Sequence, residues 1–271
     1  MKISLNHMVA PRLGHEAFFD LTRKLGLADV EIRSDLKGVA LADGTRASAV
    51  GAAAKERGLN VLTINALQRF NLWDDARADE ASAMVAQCAA SGAKALVLCP
   101  VNDVSYAPSA ADRRDALMKA LNGLKPMLTG AGIRGFVEPL GFAECSLRYK
   151  EEAIEAIEAV GGADVFRVVH DTFHHYVAGE TKMFPTMTGL VHISGVADAT
   201  ATGGTMRDPH RVLVGADDRI GNIEQLRALR AGGFEGAASF EPFAASVHAS
   251  PDIEADLRKS IAFVRAGLGL R

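Results

Sequence analysis

The chain has 271 residues, 48% hydrophobic and 23% charged, with a formal net charge of −3 and a pI near 6.2. Those values are ordinary for a globular protein and carry neither the clustered basic charge of a nucleic-acid binder nor a polybasic membrane anchor. The cysteines Cys88, Cys99 and Cys145 are odd in number with no CxxC pair, so nothing points to a disulfide framework or a thiolate zinc site.

A first strand is expected over Lys2–His7. It meets polar residues at once, which is unlike the apolar stretch of a signal peptide, and no apolar run approaches a membrane span, so a cytoplasmic location is expected. Short β-branched and apolar runs then recur, each followed by a longer stretch with helical spacing. A helix over His15–Leu25 precedes a strand over Ala28–Arg33. Next come helix Arg46–Arg57, strand Asn60–Asn65, helix Arg77–Ser91, strand Ala95–Cys99 and helix Ala110–Thr129. The second half adds strand Ile133–Glu138, helix Lys150–Val160, strand Val165–Asp171 and a short sixth helical stretch over Tyr176–Met187 that contains Pro185. Strand Gly189–Ser194, helix Asn222–Ala231, strand Gly236–Glu241 and helix Pro251–Ala266 complete the series.

Strict alternation implies parallel strands joined by right-handed crossovers. An open doubly wound sheet would carry a glycine-rich phosphate turn after its first strand, and Asn6-His7-Met8-Val9-Ala10-Pro11 stands there instead. The length suits an eightfold barrel of roughly 250 residues. The expected fold is therefore α/β, one (β/α)₈ TIM-barrel domain over residues 1–271, with no linker or low-complexity tract to mark a second.

Chemistry in such a barrel sits at the C-terminal strand ends. Those ends carry Asn6 and His7, then Glu31 and Arg33, Asn65, Cys99, Glu138, Asp171 with His174, His192 with Ser194, and Glu241. Each of the last four strands ends in a carboxylate or an imidazole. Three carboxylates converging on one mouth would repel each other unless a cation lay among them. Their oxygen and nitrogen donors suit Mn²⁺, Mg²⁺, Co²⁺ or Zn²⁺. A single strand-end glutamate is more often a surface or capping residue, and a lone histidine more often structural, so spacing alone leaves both readings open.

Other polar residues carry weaker signals. Arg33 could contact a substrate hydroxyl or pair with Glu31 or another interior carboxylate. His7 could touch substrate or hydrogen-bond within the barrel mouth. Glu144 could orient ligands from a loop, although a solvated carboxylate is the default. His175 is expected to be exposed, and His170 to face the helix layer. The segment Ala197–Arg219 reads as a substrate-contact loop in which Arg207, Arg211 and Arg219 could reach a polyol, with at least two of them solvated. Phe70 and Trp73 either wall the pocket or pack under the third helix.

Several segments together resemble the xylose-isomerase-like barrel superfamily of sugar isomerases, ketose 3-epimerases and apurinic endonucleases. They are Val30-Glu31-Ile32-Arg33, Ile64-Asn65-Ala66-Leu67 with Phe70-Asn71, Glu138-Pro139-Leu140-Gly141-Phe142, Asp171-Thr172-Phe173-His174, Val191-His192-Ile193-Ser194 and Ser239-Phe240-Glu241-Pro242-Phe243. The Asn-Ala-Leu and Asp-x-Phe-His segments point more narrowly to 2-keto-myo-inositol (inosose) isomerase-like members. The resemblance implies that Glu138, Asp171, His192 and Glu241 bind one divalent metal (Mn²⁺, Zn²⁺, Mg²⁺ or Co²⁺). It also implies that His174 bonds a substrate oxygen and that Glu138 and Glu241 transfer protons from opposite faces of the substrate. His7, Arg33 and Arg207 join His174 as candidate substrate contacts. The endonuclease branch has further histidine ligands after the third and fourth strands; Asn65 and Cys99 stand there, which argues against DNA repair.

The expected activity is isomerisation of a small polyhydroxy ketone, inosose first, in inositol or other carbohydrate catabolism, with a small polyol or sugar as the only partner apart from a second copy of the chain. Ketose 3-epimerisation or hydroxypyruvate isomerisation is the alternative, and a non-catalytic sugar-binding barrel the further one.

Overall fold

The computed structural model of the protein describes residues 1–270. The apolar, β-branched runs form β1 (Lys2–Asn6), β2 (Asp29–Arg33), β3 (Asn60–Gln68), β4 (Ala95–Cys99), β5 (Arg134–Val137), β6 (Phe166–Asp171), β7 (Thr188–Ile193) and β8 (Ala237–Phe240). All pair in parallel and in sequence order. β8 returns to β1 from Lys2↔Ala237 to Leu5↔Phe240, which closes the barrel. The (β/α)₈ barrel expected from the alternation is thus the observed fold.

Outside the strands lie α1 (His15–Lys24), α2 (Ala47–Glu56), α3 (Asp75–Ser91), α4 (Ala110–Ala131), α5 (Lys150–Ala159), α6 (Thr172–Ala178), α7 (Asn222–Ala231), α8 (Ala245–His248) and α9 (Ile253–Leu268). Their boundaries follow local chemistry. Asp74, Ser109 and Asp252 cap α3, α4 and α9 by accepting from backbone N–H groups of the first turn. Gly132 ends α4 in the left-handed region at φ 67°, which a side chain would resist. No helix among the described residues is long and apolar enough to cross a membrane.

Alternation along the strands builds two apolar layers. Phe18, Phe19, Leu96, Leu98, Phe166 and Phe240 belong to the core between sheet and helices. A second cluster holds Ala95, Val97, Phe136, Val169 and Leu190. Phe136, Val169 and Leu190 stand two residues before Glu138, Asp171 and His192, on the same strand face. The apolar plug thereby lies directly beneath the polar mouth, as in other filled barrels.

The sixth helix differs from expectation. It spans Thr172–Ala178, not Tyr176–Met187, because Asp171 ends β6 and caps the helix at once, accepting from Phe173 N at 2.8 Å and His174 N at 3.1 Å. Gly179 closes it in the left-handed conformation. The segment with Pro185 is irregular. This early start turns His175 inward. Expected to be exposed, it is buried, with Nδ1 at 2.9 Å from Lys150 Nζ, and Lys150 also pairs with Glu180. His170 points toward the helix layer as expected and bonds Gln225 of α7 at 2.9 Å. Phe70 is fully buried in the core and Trp73 lies against Gly123 of α4, so both pack under helices.

Candidate metal centre

Glu138 and Glu241 stand one residue beyond β5 and β8, yet the sheet still holds their backbones: Glu138 N donates to Leu98 O at 3.0 Å and Glu241 N to Ile193 O at 2.9 Å. Asp171 and His192 lie opposite each other on β6 and β7. One donor atom from each of the four falls within 4.8 Å of all the others, a spread that one ion could span, and all four residues are buried.

The charges are tightly coupled. His192 Nδ1 lies 2.6 Å from Glu138 Oε1 and 3.3 Å from Glu241 Oε2. Burial disfavours the charged imidazole, but Glu241, Glu138 and Glu31 outweigh it and hold His192 well above its usual pKa. Burial pushes Glu241 up to about 7, with the nearby Glu138 adding to it against His192, Arg211 and Arg33. Asp171 is also penalised by burial, yet Arg211, His174 and His192 bring it down to about 2. For Glu138, His192 overcomes burial and lowers the pKa.

Two guanidiniums enter the same space. Arg33 donates to Glu241 Oε1 at 2.8 Å and to Asp35 at 2.7 Å. Arg211 donates to Asp171 Oδ2 at 2.6 Å, Glu241 Oε2 at 3.1 Å and Ser194 Oγ at 3.0 Å. Its guanidinium carbon lies over the rings of Phe243 and Phe173, at 4.6 and 5.1 Å from their centres. Glu31, Glu138, Asp171 and Glu241 are thus four carboxylates no more than 3% exposed, against the two buried guanidiniums of Arg33 and Arg211. With His192 neutral, as a metal ligand must be, at least two negative charges are left over, because Asp35 and Asp208 also draw on these guanidiniums. One divalent cation has the complementary charge, and the oxygen and nitrogen donors present suit it.

Above the donors is a cavity of about 250 Å³, lined by Glu138, Glu241, Arg33, Arg211, His174 and other residues of the βα loops. His174 is wedged edge-on against Phe142 and Phe173, and its Nδ1 has no hydrogen-bond partner. A larger depression of about 590 Å³ between the loops after β4 and β5 includes none of the four donors.

The remaining sequence candidates divide by position. Arg33 lines the cavity and also pairs with carboxylates, though with Glu241 and Asp35 instead of Glu31. His7 is fully buried outside the cavity: Nε2 bonds Leu13 O at 2.8 Å and the ring stacks on Phe18 at 4.4 Å. Arg207 lies farther out, over the Phe142 ring at 5.3 Å and 3.8 Å from Glu144. Glu144 lines the larger depression, and Arg219 bonds the carbonyls of Asp198 and Ala201. Of the three arginines that the loop offers, Arg211 alone reaches the clustered carboxylates. A polar loop without periodicity offers no cue to which arginine turns inward. Glu31 had a readable cue, since it shares a strand face with Arg33.

A closed (β/α)₈ barrel with a buried cluster of Glu, Asp and His at the C-terminal strand ends defines a class of proteins whose mouth could hold a metal. The family described as xylose isomerase-like TIM barrel matches residues 19–267, and the chain belongs to that family. The expected superfamily is therefore the one found. A xylose isomerase domain-containing protein from Salmonella typhimurium LT2 is 30% identical, with a TM-score of 0.88 over 98% of this chain and 97% of that one. The IOLI protein with a binding zinc atom is 20% identical, with a TM-score of 0.87 over 99% and 98% of the two chains. A D-psicose 3-epimerase with D-tagatose, from Clostridium cellulolyticum H10, is 14% identical, with a TM-score of 0.73 over 99% of each. At those identities the last two show the fold alone. A comparison with curated proteins returns no match.

Proposed function

We propose that the chain is a divalent-metal-dependent isomerase of a small polyhydroxy ketone, with inosose the first substrate to test. The observation that carries this reading is the convergence of Glu138, Asp171, His192 and Glu241 on one point, with Glu138 and Glu241 also lining a cavity. A bound dication would supply Lewis-acid polarisation of the ketone oxygen and the neighbouring hydroxyl.

The side chains supply the proton transfers. Glu138 follows β5 and Glu241 follows β8, so they approach the centre from different sides of the ring. One removes the proton from the hydroxyl-bearing carbon beside the carbonyl. The other, in its protonated form, donates a proton to the former carbonyl carbon, and the hydroxyl proton passes to the former carbonyl oxygen, so that the ketone moves by one carbon. Arg33 at 2.8 Å and Asn65 at 3.3 Å fix Glu241 Oε1 and so aim its carboxylate. His174 bonds a substrate oxygen, while Phe142 and Phe243 offer apolar surface to the carbon skeleton. A volume of about 250 Å³ is below the roughly 300–1,000 Å³ of drug-sized sites, which favours a single small polyol. The zinc named for the IOLI protein and the ketohexose named for the psicose epimerase are consistent with this reading.

The test is NMR of substrate C–H exchange in D₂O with inosose, a ketohexose and hydroxypyruvate, with Mn²⁺ present or chelated. Metal-dependent exchange on inosose is expected. Exchange on the ketohexose alone would make the chain an epimerase, exchange on hydroxypyruvate alone a hydroxypyruvate isomerase, and no exchange on any substrate at saturating metal would make it a non-catalytic binder.

A further inference from the structure

We infer that Glu31 is a positioning residue that selects the imidazole tautomer of His192 when Nδ1 holds a metal ion. The inference rests on the metal-site reading proposed above. Glu31 lies on β2, two residues before Arg33, with its carboxylate fully buried. Arg33 turns away to Glu241 and Asp35. Among the described residues the only ionic partner within 4.0 Å of Glu31 is His192, whose Nε2 lies 3.2 Å from Glu31 Oε2. Thr63 Oγ1 donates to the same oxygen at 2.6 Å, and Asn6 Nδ2 reaches the other at 3.4 Å. Asn6 and Thr63 stand beside Glu31 in the register of β1, β2 and β3, so three strands hold the carboxylate in place.

An ionised carboxylate accepts hydrogen bonds and donates none. Without an ion both ring nitrogens face carboxylates and the imidazole is held charged; once an ion takes Nδ1 beside Glu138 and Glu241, the Glu31 carboxylate holds the remaining proton on Nε2. The opposite tautomer would aim an N–H at the centre and deny the ion its nitrogen donor. A carboxylate behind a ligating histidine commonly acts in this way, and its loss typically weakens metal binding by about 10–100-fold.

The experiment is calorimetric titration of the full chain, stripped of metal, with Mn²⁺ and Zn²⁺, comparing the unaltered protein with Glu31→Ala and Glu31→Gln. It is paired with ¹⁵N NMR of the imidazoles in the zinc-loaded state. Affinity is expected to fall about 10–100-fold in Glu31→Ala and less in Glu31→Gln, which keeps an acceptor oxygen. In the unaltered protein His192 should carry its proton on Nε2. Equal affinity in all three proteins, or a His192 protonated on Nδ1, overturns the inference and leaves the metal reading standing. Failure of the unaltered protein to bind either ion overturns both. Should Glu31→Ala not fold, Thr63→Val carries the test by removing only the 2.6 Å hydrogen bond: a several-fold loss of affinity supports the inference, and an unchanged affinity overturns it.

Discussion

Glu241 is where the charges of the mouth meet. It accepts from Arg33 on one oxygen and from Arg211 on the other, and burial pushes its pKa up to about 7. In Glu241→Gln, kcat should fall by about 10²–10⁴-fold while the far-UV spectrum is unchanged; near-normal turnover would remove Glu241 from the proton transfer. His7 makes a different prediction. Burial lowers its pKa to about 4 despite the hydrogen bond to Leu13. Between about pH 6.5 and 4 the unfolded chain therefore binds a proton that the folded chain refuses, so stability falls as pH falls through that window. By pH 4.5 the loss from this one group is about 2 kcal/mol. Urea midpoints from pH 7 to 4.5 should drop less steeply in His7→Gln, and parallel curves would contradict the assignment. Both possible roles of His7 were open in the sequence because strand alternation stops at Asn6. His7 begins a 3-10 turn, which swings the imidazole onto Phe18.

At the scale of elements, α6 and the loop after β5 fit closely together. A Cβ on Gly141 would lie 2.1 Å from His174 O and 2.8 Å from Ala178 N, so the loop and the α6 backbone touch directly. Gly141→Ala is expected to lower the urea midpoint by the equivalent of about 1–3 kcal/mol and to weaken substrate binding through His174; an unchanged midpoint and KM would show that the contact is slack. Most elements were legible in the sequence because apolar period and glycine caps agreed, and β4 spans the expected residues. The sixth helix was not. Its start signal is Asp171, whose Oδ1 caps the helix while Oδ2 meets Arg211, and a residue with two tasks looks in sequence like the end of a strand. The clustering of Glu138, Asp171, His192 and Glu241 was legible because they close four consecutive strands. Arg211 was not singled out, because its place depends on how a long loop folds back: Gly195 and Val212 pair as an isolated bridge, and Phe243 N donates to Arg211 O at 2.9 Å.

Across the whole molecule, the barrel concentrates unbalanced negative charge at one end of a close-packed core. An ion held there would bind only the folded chain and would therefore stabilise the fold. At a free concentration of about 100 times Kd the gain is about 2.7 kcal/mol. For a chain of this size, that corresponds to a Tm rise of about 5 °C on going from chelator to saturating Mn²⁺. Differential scanning calorimetry should show the rise, and an identical Tm in both conditions would mean that Arg33 and Arg211 already satisfy the carboxylates.

The central claim, that Glu138, Asp171, His192 and Glu241 share one dication, is tested most directly by counting bound ions. The measurement is equilibrium dialysis of chelator-stripped protein against Mn²⁺, with and without His192→Ala. One ion per chain is predicted, with affinity reduced more than about 100-fold in the variant. No bound ion, or the same affinity once His192 is gone, would contradict the account.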